Sequence, residues 1–428
     1  MSSTLDASSH LSKYHPDRPD PVIPPFDVAN IPDEEIDHPS GNLELLPKVL
    51  KSPNEKRMVY PPLILGCSTF GYGIYADDDN VKSSIPLRVV RLAMRCGMNA
   101  FDTSPWYHPS EIVLGNALRA LSYPRGSYHL ITKVGKYGPN SRDHHFDPET
   151  VTKSVEKSLK RMGTDYLDVV YLHDLEYILP PPSHIGNPLL SLPSILSSDL
   201  SSPTPEETIL LNAIATLRTL QKEGKIIHVG IAGYPLPVLL RIALLAKQST
   251  GKGLDVVQSY GHQTIQNDSL SAGYLDALTN EAGVGQVVSA APLSMGILTT
   301  HGGPAWHPGR AYDKLWQATR SAVKLCQEEG TTLEDVSLTY GYRPIYQTQT
   351  TNGGIGQKKR VPIVVGCTDL DQLHSTLQKW GKVNNERFVD QEKDAKSKEV
   401  EGKVAKLFED QGVRGWSWAC PSDEQRSG

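Results

Sequence analysis

Eight short apolar or β-branched runs punctuate the chain, and most intervals between them carry apolar residues three and four apart. The runs are Leu63–Leu65, Ala100–Asp102, Leu130–Lys133, Val169–Leu172, Ile226–Ile231, Val256–Gln258, Val287–Ala290 and Ile363–Val365. The intervals of helical period include Pro86–Arg95, Glu111–Leu121, Glu149–Met162, Glu206–Lys222, Pro237–Lys247 and Leu270–Glu281. A strand that is apolar without interruption is buried on both faces, which points to a parallel sheet covered by helices. Eight such strand–helix units predict an α/β fold closed into a (β/α)8 TIM barrel, with an open doubly wound sheet as the structural alternative.

A barrel does not use up 428 residues. Residues 1–58 are rich in Pro, Asp and Ser and lack a sustained apolar period, so they read as an N-terminal arm, poorly ordered or draped over the core. The barrel is expected over 59–382, with two Pro- or Gly-rich insertions, 178–205 and 347–359, both read as loops. The first holds enough Leu and Ile to pack onto the barrel, as a lid or as a plain surface loop. The rest, 383–428, is a C-terminal tail with one amphipathic helix between Asp390 and Asp410, its apolar positions being Val400, Val404, Leu407 and Phe408.

Charge and cysteine use narrow the function classes. Lys+Arg 43 against Asp+Glu 48 gives a net charge of -5 spread along the chain, a poor match for nucleic acid or an acidic membrane surface. No apolar run approaches the ~20 residues of a membrane helix, and Met1 to Pro25 has no hydrophobic stretch of the secretory kind. The 5 cysteines are scattered, without C-x-x-C spacing, which argues against a disulfide framework or structural zinc and for a reducing cytoplasmic setting. Asp143-His144-His145-Phe146-Asp147 looks metal-like but lies in a polar loop without helical or strand spacing, so no metal is expected. No G-x-G-x-x-G opens a helix after a strand, so a Rossmann domain is not indicated.

In a β/α barrel the functional groups gather where strands end. The second run ends at Asp102 and leads through Trp106 to Tyr107 and His108; the third ends at Lys133; the fourth is followed by His173 and Asp174. An acid, a phenol, an ammonium and an imidazole thus converge on one rim. A phenol with a pKa near ~10 transfers protons poorly at neutral pH unless its anion is stabilised. The Lys133 ammonium supplies that stabilisation for Tyr107, Asp102 holds the ammonium, and His173 orients a substrate oxygen. The set suits proton transfer at a carbonyl or alcohol oxygen coupled to a hydride carrier. Phe70, Tyr72, Trp106 and His108 follow the first and second strands and are candidates for a substrate-facing wall.

The stretch Asp102 to Tyr107, Ser110-Glu111, Leu114-Gly115 resembles the D-x4-Y-x2-S-E-x2-L-G signature of the aldo-keto reductases. The likeness continues through Ile131-Thr132-Lys133-Val134, Arg161-Met162-Gly163-Thr164-Asp165-Tyr166-Leu167-Asp168 and Tyr171-Leu172-His173, and covers roughly residues 60 to 380. It implies an NAD(P)-dependent oxidoreductase whose tetrad falls on Asp102, Tyr107, Lys133 and His173. Gly230-Ile231-Ala232-Gly233-Tyr234-Pro235 and Ser259-Tyr260-Gly261-His262 are similar to the sugar-oxidising branch, which implies oxidation of a D-arabinose-like aldose at C1 to the lactone. The resemblance also implies a cofactor site built from Gln258, from Pro292, Leu293, Ser294, Gly296 and Leu298 after the seventh strand, and from Gly366, Cys367, Thr368, Asp369 and Gln372 after the eighth. Two positions depart from the family: Ala232-Gly233 stand where many members have Ser-Asn, and Ala290 where many have Tyr.

After the eighth strand the chain has no cation but two carboxylates, Asp369 and Asp371, which would repel a 2′-phosphate and can accept from ribose hydroxyls. NAD is therefore expected rather than NADP; Lys358, Lys359 and Arg360 precede that strand and belong to its opposite end. The expected partner is a small sugar, with no nucleic acid and no membrane, and the oligomeric state is left open. Two other readings stand beside this one: an NADP-dependent aldehyde or ketone reductase, and a non-catalytic nucleotide-binding interaction protein on a reductase barrel.

Overall fold

A computed structural model describes residues 11–37, 46–47, 60–73, 75–181, 186–351, 354–385 and 390–427. Eight parallel strands close a barrel: β1 Leu63–Gly66, β2 Ala100–Asp102, β3 His129–Val134, β4 Leu167–His173, β5 Ile226–Gly233, β6 Val256–Tyr260, β7 Gln286–Ala290 and β8 Ile363–Gly366. Each pairs with its neighbours in sequence, and β8 seals the ring between β7 and β1 with Leu63 opposite Ile363 and Ile363 opposite Ser289. The predicted closed barrel is the observed one, and the open sheet is excluded.

The runs are uninterrupted because alternate residues enter two different cores. Ile64, Ala100, Ile131, Val169, Tyr171, Val256, Val288 and Val364 fill the barrel interior. Their neighbours Leu63, Leu65, Phe101, Leu130, Val170, Leu172, Val257 and Val365 pack outward beneath the helices. The helices begin and end where local chemistry says they must. Asp147 caps Pro148–Met162 by accepting from Thr150 N at 2.9 Å, and Gly163, at φ 64, takes the left-handed position that ends it. Thr204 and Glu207 form a capping box at the start of Pro205–Lys222.

Several motif residues bind helix to strand. Buried Glu111 accepts from Thr132 Oγ1 at 2.6 Å on β3, and from Ser158 Oγ and Arg161 Nη1 at 2.7 Å on the next helix. A side chain at Gly115 would lie 2.3 Å from the Arg161 carbonyl oxygen, so only glycine lets these helices close. Asp168 takes Leu130 N at 2.8 Å and Arg125 Nη2 at 2.7 Å.

Outside the barrel the structure differs from the loop readings. Residues 11–37 of the arm lie against the helical layer: Asp37 is clamped by Arg88 and Arg91 at 2.6 and 2.5 Å, and Asp20 by Arg161 at 2.5 Å. The remainder of 1–58, apart from 46–47, falls outside the described residues. The stretch 178–205 is not plain loop. Its described part forms Pro188–Ser191 and the helix Leu192–Leu196, with Pro193 in the first turn where its missing N–H costs nothing. Leu189, Leu192 and Ile195 pack on the barrel's outer core. The described part of 347–359 lies in an antiparallel pair of strands, Tyr346–Thr351 against Gly354–Arg360, with Gln347 opposite Lys359 and Thr348 opposite Lys358. Leu270–Glu281 winds in wide turns rather than as one α-helix, with Leu192 Cδ2 pressing to 2.9 Å of the place a Gly273 side chain would take.

The tail contains the expected helix, Gln391–Asp410, which buries Val400, Val404 and Phe408. Among the described residues no helix is long and apolar enough to cross a membrane.

Candidate active site

Period-two alternation decides which polar side chains look into the barrel. On β2 the inward set is Ala100 then Asp102, on β3 Ile131 then Lys133, on β4 Val169, Tyr171 then His173, and on β6 Val256 then Gln258. The last inward position of each is polar, so four chains of apolar filling end in an acid, an amine, an imidazole and an amide.

Lys133 Nζ donates to Asp102 Oδ1 at 2.5 Å and to Thr103 O at 2.9 Å, all in buried surroundings. The same ammonium stands 4.9 Å from the centre of the Tyr107 ring. The His173 ring meets Tyr107 edge-on at 5.7 Å, and its Nδ1 lies 3.1 Å from Ser104 Oγ. Tyr107 itself keeps some exposure. The four predicted residues thus come together at one mouth.

Their proton affinities are set by burial. Desolvation raises Asp102, although the Lys133 charge opposes it. Lys133 is desolvated too, but Asp102, Tyr107 and Asp174 together outweigh this and raise it, so the amine stays charged. Burial, with Lys133 and Lys136 adding to it, holds His173 well below its usual value and therefore neutral. Tyr107 corrects a simple expectation: burial raises the phenol, and the Lys133 charge offsets this only in part.

A second buried ion pair adjoins the first. Lys136 Nζ donates to Asp174 Oδ2 at 2.6 Å, and Asp174 Oδ1 is 3.8 Å from His173 Nε2 and 3.3 Å from the Tyr260 hydroxyl. Asp174 holds this place with φ 49, a left-handed backbone. The Lys136 ammonium also lies 4.3 Å from the Tyr177 ring centre and 5.5 Å from that of Trp106. Buried Glu176 accepts from Tyr234 N at 2.9 Å and leaves Oε2 without a partner; burial and the Asp174 charge push its carboxyl up to about 8. A side chain at Gly233 would meet that free oxygen at 2.6 Å, which accounts for glycine there.

The candidate cofactor residues line up around the same mouth. Gln258 is buried with Oε1 unpartnered, as is the Ser294 hydroxyl. Ala291, Ser294, Met295 and Gly296 all have positive φ, a run of strained backbone of the sort that gathers at ligand sites. Pro292 and Leu293 lie within this run and Leu298 follows it, with Leu298 N donating to Leu293 O at 3.2 Å. After β8, Asp369 Oδ1 caps the helix Leu370–Asn384 through Gln372 N at 2.8 Å. Gln372 Oε1 returns to Thr368 N at 3.0 Å, and Gly366 is exposed. Cys367 is wholly buried and its carbonyl is held by Thr69 Oγ1 at 3.0 Å, so this expected cofactor residue does not face the mouth. Lys359 Nζ reaches Gly285 O, before β7, and Arg360 reaches Tyr342 O and Asn384, which puts both at the opposite end as expected.

The proposed substrate wall is only partly assembled. Phe70 is 1% exposed in the outer core and cannot face a ligand. The Tyr72 ring lies 5.6 Å from Lys82 Nζ. His108 turns to Tyr14 of the arm at 5.3 Å, and burial lowers it to about 4. Trp106 does stand at the mouth, beside Lys136. The sequence reading overlooked Tyr75 and Trp306, whose rings meet at 5.6 Å, and the tail, whose Trp418 stacks on Tyr234 at 4.7 Å. Lys136 was findable, three residues beyond Lys133 in the turn that leaves β3. The metal-like loop is dispersed: His144 stacks on Tyr177 at 4.0 Å, His145 meets His15 at 4.9 Å and Asp147 caps a helix.

Comparison with known proteins follows this geometry. The sequence pattern of the aldo/keto reductase family matches residues 62–394. The chain is 36% identical over 316 residues to L-galactose dehydrogenase of Arabidopsis thaliana, covering 73% of this chain and 82% of that one. It is 29% identical over 368 residues to D-arabinose 1-dehydrogenase of Saccharomyces cerevisiae, covering 85% and 95%. It is 26% identical over 247 residues to NADH-specific methylglyoxal reductase of Escherichia coli, covering 54% and 64%.

Proposed function

The chain belongs to the aldo/keto reductase family, NAD(P)-dependent oxidoreductases acting on CH–OH groups, and we propose that it oxidises a D-arabinose-like aldose at C1 to the lactone with NAD as acceptor. The observation that carries this reading is the Lys133 ammonium, held by Asp102 and Thr103 O beneath the Tyr107 ring with neutral His173 at its edge. Two relatives named as sugar dehydrogenases support the substrate class.

The residues present fit a nicotinamide cofactor. Buried unpartnered oxygens on Gln258 and Ser294 await a ligand's hydrogen bonds. The helix after β8 opens on Asp369 with Asp371 behind it, a charge distribution suited to ribose hydroxyls and opposed to a 2′-phosphate. Gln258, the Pro292–Leu298 turn and the Gly366–Gln372 turn would hold NAD, which when bound supplies the hydride acceptor.

Within that frame Tyr107 takes the proton from the C1 hydroxyl. The C1–H bond gives up its hydride with both electrons, and the C1–O bond becomes the lactone carbonyl. Lys133 stabilises the phenolate form on which the step depends, Asp102 fixes Lys133, and the neutral His173 ring orients the sugar oxygen. In aldehyde reduction Tyr107 returns the proton to the carbonyl oxygen, and burial keeps the phenol protonated ahead of that step.

The test is a panel of pentoses, 6-deoxyhexoses and hexoses with NAD and with NADP, read by absorbance of the reduced nicotinamide, for wild type and Tyr107→Phe. The variant is expected to lose about 10²- to 10⁴-fold in kcat while binding NADH, followed by fluorescence, as wild type does. Full turnover by Tyr107→Phe, a clear NADP preference, or silence with every sugar alongside aldehyde reduction would each overturn the corresponding part.

A further inference from the structure

We propose that the Lys136–Asp174 pair reads the non-reacting hydroxyls of the substrate and so sets specificity for a polyhydroxylated chain. This rests on the sugar-oxidising reading above and adds the residues that recognise the sugar.

The pair lies beside the reacting centre. Asp174 follows His173 directly and reaches within 3.8 Å of its Nε2, and the charges of both partners act on the Tyr107 phenol. Trp106, one residue before Tyr107, stands over the same ammonium at 5.5 Å. A substrate oxygen held between Tyr107 and His173 therefore brings its neighbouring carbons toward Lys136 and Asp174.

The pair is expensive as architecture. Both side chains are buried, at 8% and 5% exposure, where each charge gives up its hydration to enter. The Asp174 backbone is left-handed without being glycine, a further cost. An apolar pair of similar volume would serve packing at least as well.

The groups also have hydrogen-bonding capacity to spare. An ammonium has three donors, and Lys136 spends one on Asp174; around it stand the faces of Tyr177 and Trp106 and, from the tail, the Cys420 thiol. A carboxylate has about four acceptor sites, and Asp174 uses one short bond plus the long 3.3 Å contact from Tyr260. Adjacent hydroxyls of a sugar match this set: one donates to the carboxylate while its neighbour accepts from the ammonium. The unpartnered Oε2 of Glu176, whose carboxyl feels the Asp174 charge, extends the same polar rim.

The experiment compares the best aldose with analogues deoxygenated at each position in turn, using the full-length wild type, Asp174→Asn, Lys136→Met and the doubly apolar Lys136→Met/Asp174→Leu. Wild type is expected to lose about 10- to 100-fold in kcat/KM when one of two adjacent hydroxyls is removed, the range for a hydrogen bond to a charged group. Asp174→Asn should show a similar loss with the parent sugar, mainly in KM, and then be insensitive to removal of that hydroxyl. NADH binding should be unchanged in all four proteins. The double variant guards against a single change that fails to fold by leaving no lone buried charge. Equal treatment of every deoxy analogue by wild type, additive losses in the variants, or wild-type kinetics in the double variant would each overturn the inference. If wild type oxidises no aldose at all, it is the parent reading that fails.

Discussion

Glu176 shows what a single residue's surroundings can do to an ordinary carboxyl. Removed from water and set beside Asp174, it holds its proton up to about 8, against 4.5 when free. Between those values the folded chain keeps a proton that the unfolded chain releases, so stability is full below 4.5 and falls as pH rises toward 8. Glu176→Gln, which preserves the acceptor for Tyr234 N, should remove this dependence. Melting temperatures at pH 5 and pH 8 are expected to differ by a few degrees less in the variant than in wild type, and equal differences would show that Glu176 does not titrate in this range. The tetrad was legible at this scale because Asp102, Lys133 and His173 each close an inward alternation that starts with apolar residues. Glu176 was not, since the burial that raises it, against Gly233 and Tyr234 of a strand far away in sequence, exists only once the barrel has formed.

Elements were legible where their period was regular. The eight strands and most barrel helices follow from apolar spacing alone, although the helices expected from Glu149 and Glu206 start one residue earlier, at Pro148 and Pro205, behind the caps Asp147 and Thr204. Segments held by a few polar anchors were not, because composition cannot say where an isolated carboxylate will land. The arm illustrates this. Asp37 is fully buried between Arg88 and Arg91, two residues of the helix Ile85–Arg95. Asp37→Asn leaves both guanidinium groups without a counter-charge and should cost about 3 kcal/mol, seen as a lower urea midpoint. Activity at 25 °C should be unaffected, since these groups lie on the barrel's flank. A variant as stable as wild type would mean that the arm merely rests on the surface.

At the scale of the whole molecule the barrel separates its duties between two ends, and the segments added to it respect that division. The tail beyond Asp410 reaches the mouth: Ser417 and Trp418 stand against His262, His307 and Tyr234, and Ser417 N bonds Gly186 O in the first insertion at 3.1 Å. Trp416 and Trp418 are the sign of this in the tail's sequence, but where they dock is not, because the aromatic cluster that draws Trp418 exists only once the barrel has closed. The hairpin belongs to the other end. Buried Gln347 accepts from Val287 N at 2.7 Å and from Gln286 Nε2 at 3.0 Å, and donates to Gly285 O at 3.0 Å, tying the hairpin to the start of β7. Removing this one amide in Gln347→Ala strands a strand N–H away from water, a loss of about 1–3 kcal/mol. Chemistry at the mouth and closure at the base are carried by different residues, so the variant should melt earlier yet match wild type in kcat/KM and NADH affinity at low temperature. A fall in turnover at temperatures where the fold is intact would mean instead that the base of β7 is coupled to the strained Ala291–Gly296 turn at its top, and that the two ends do not act independently.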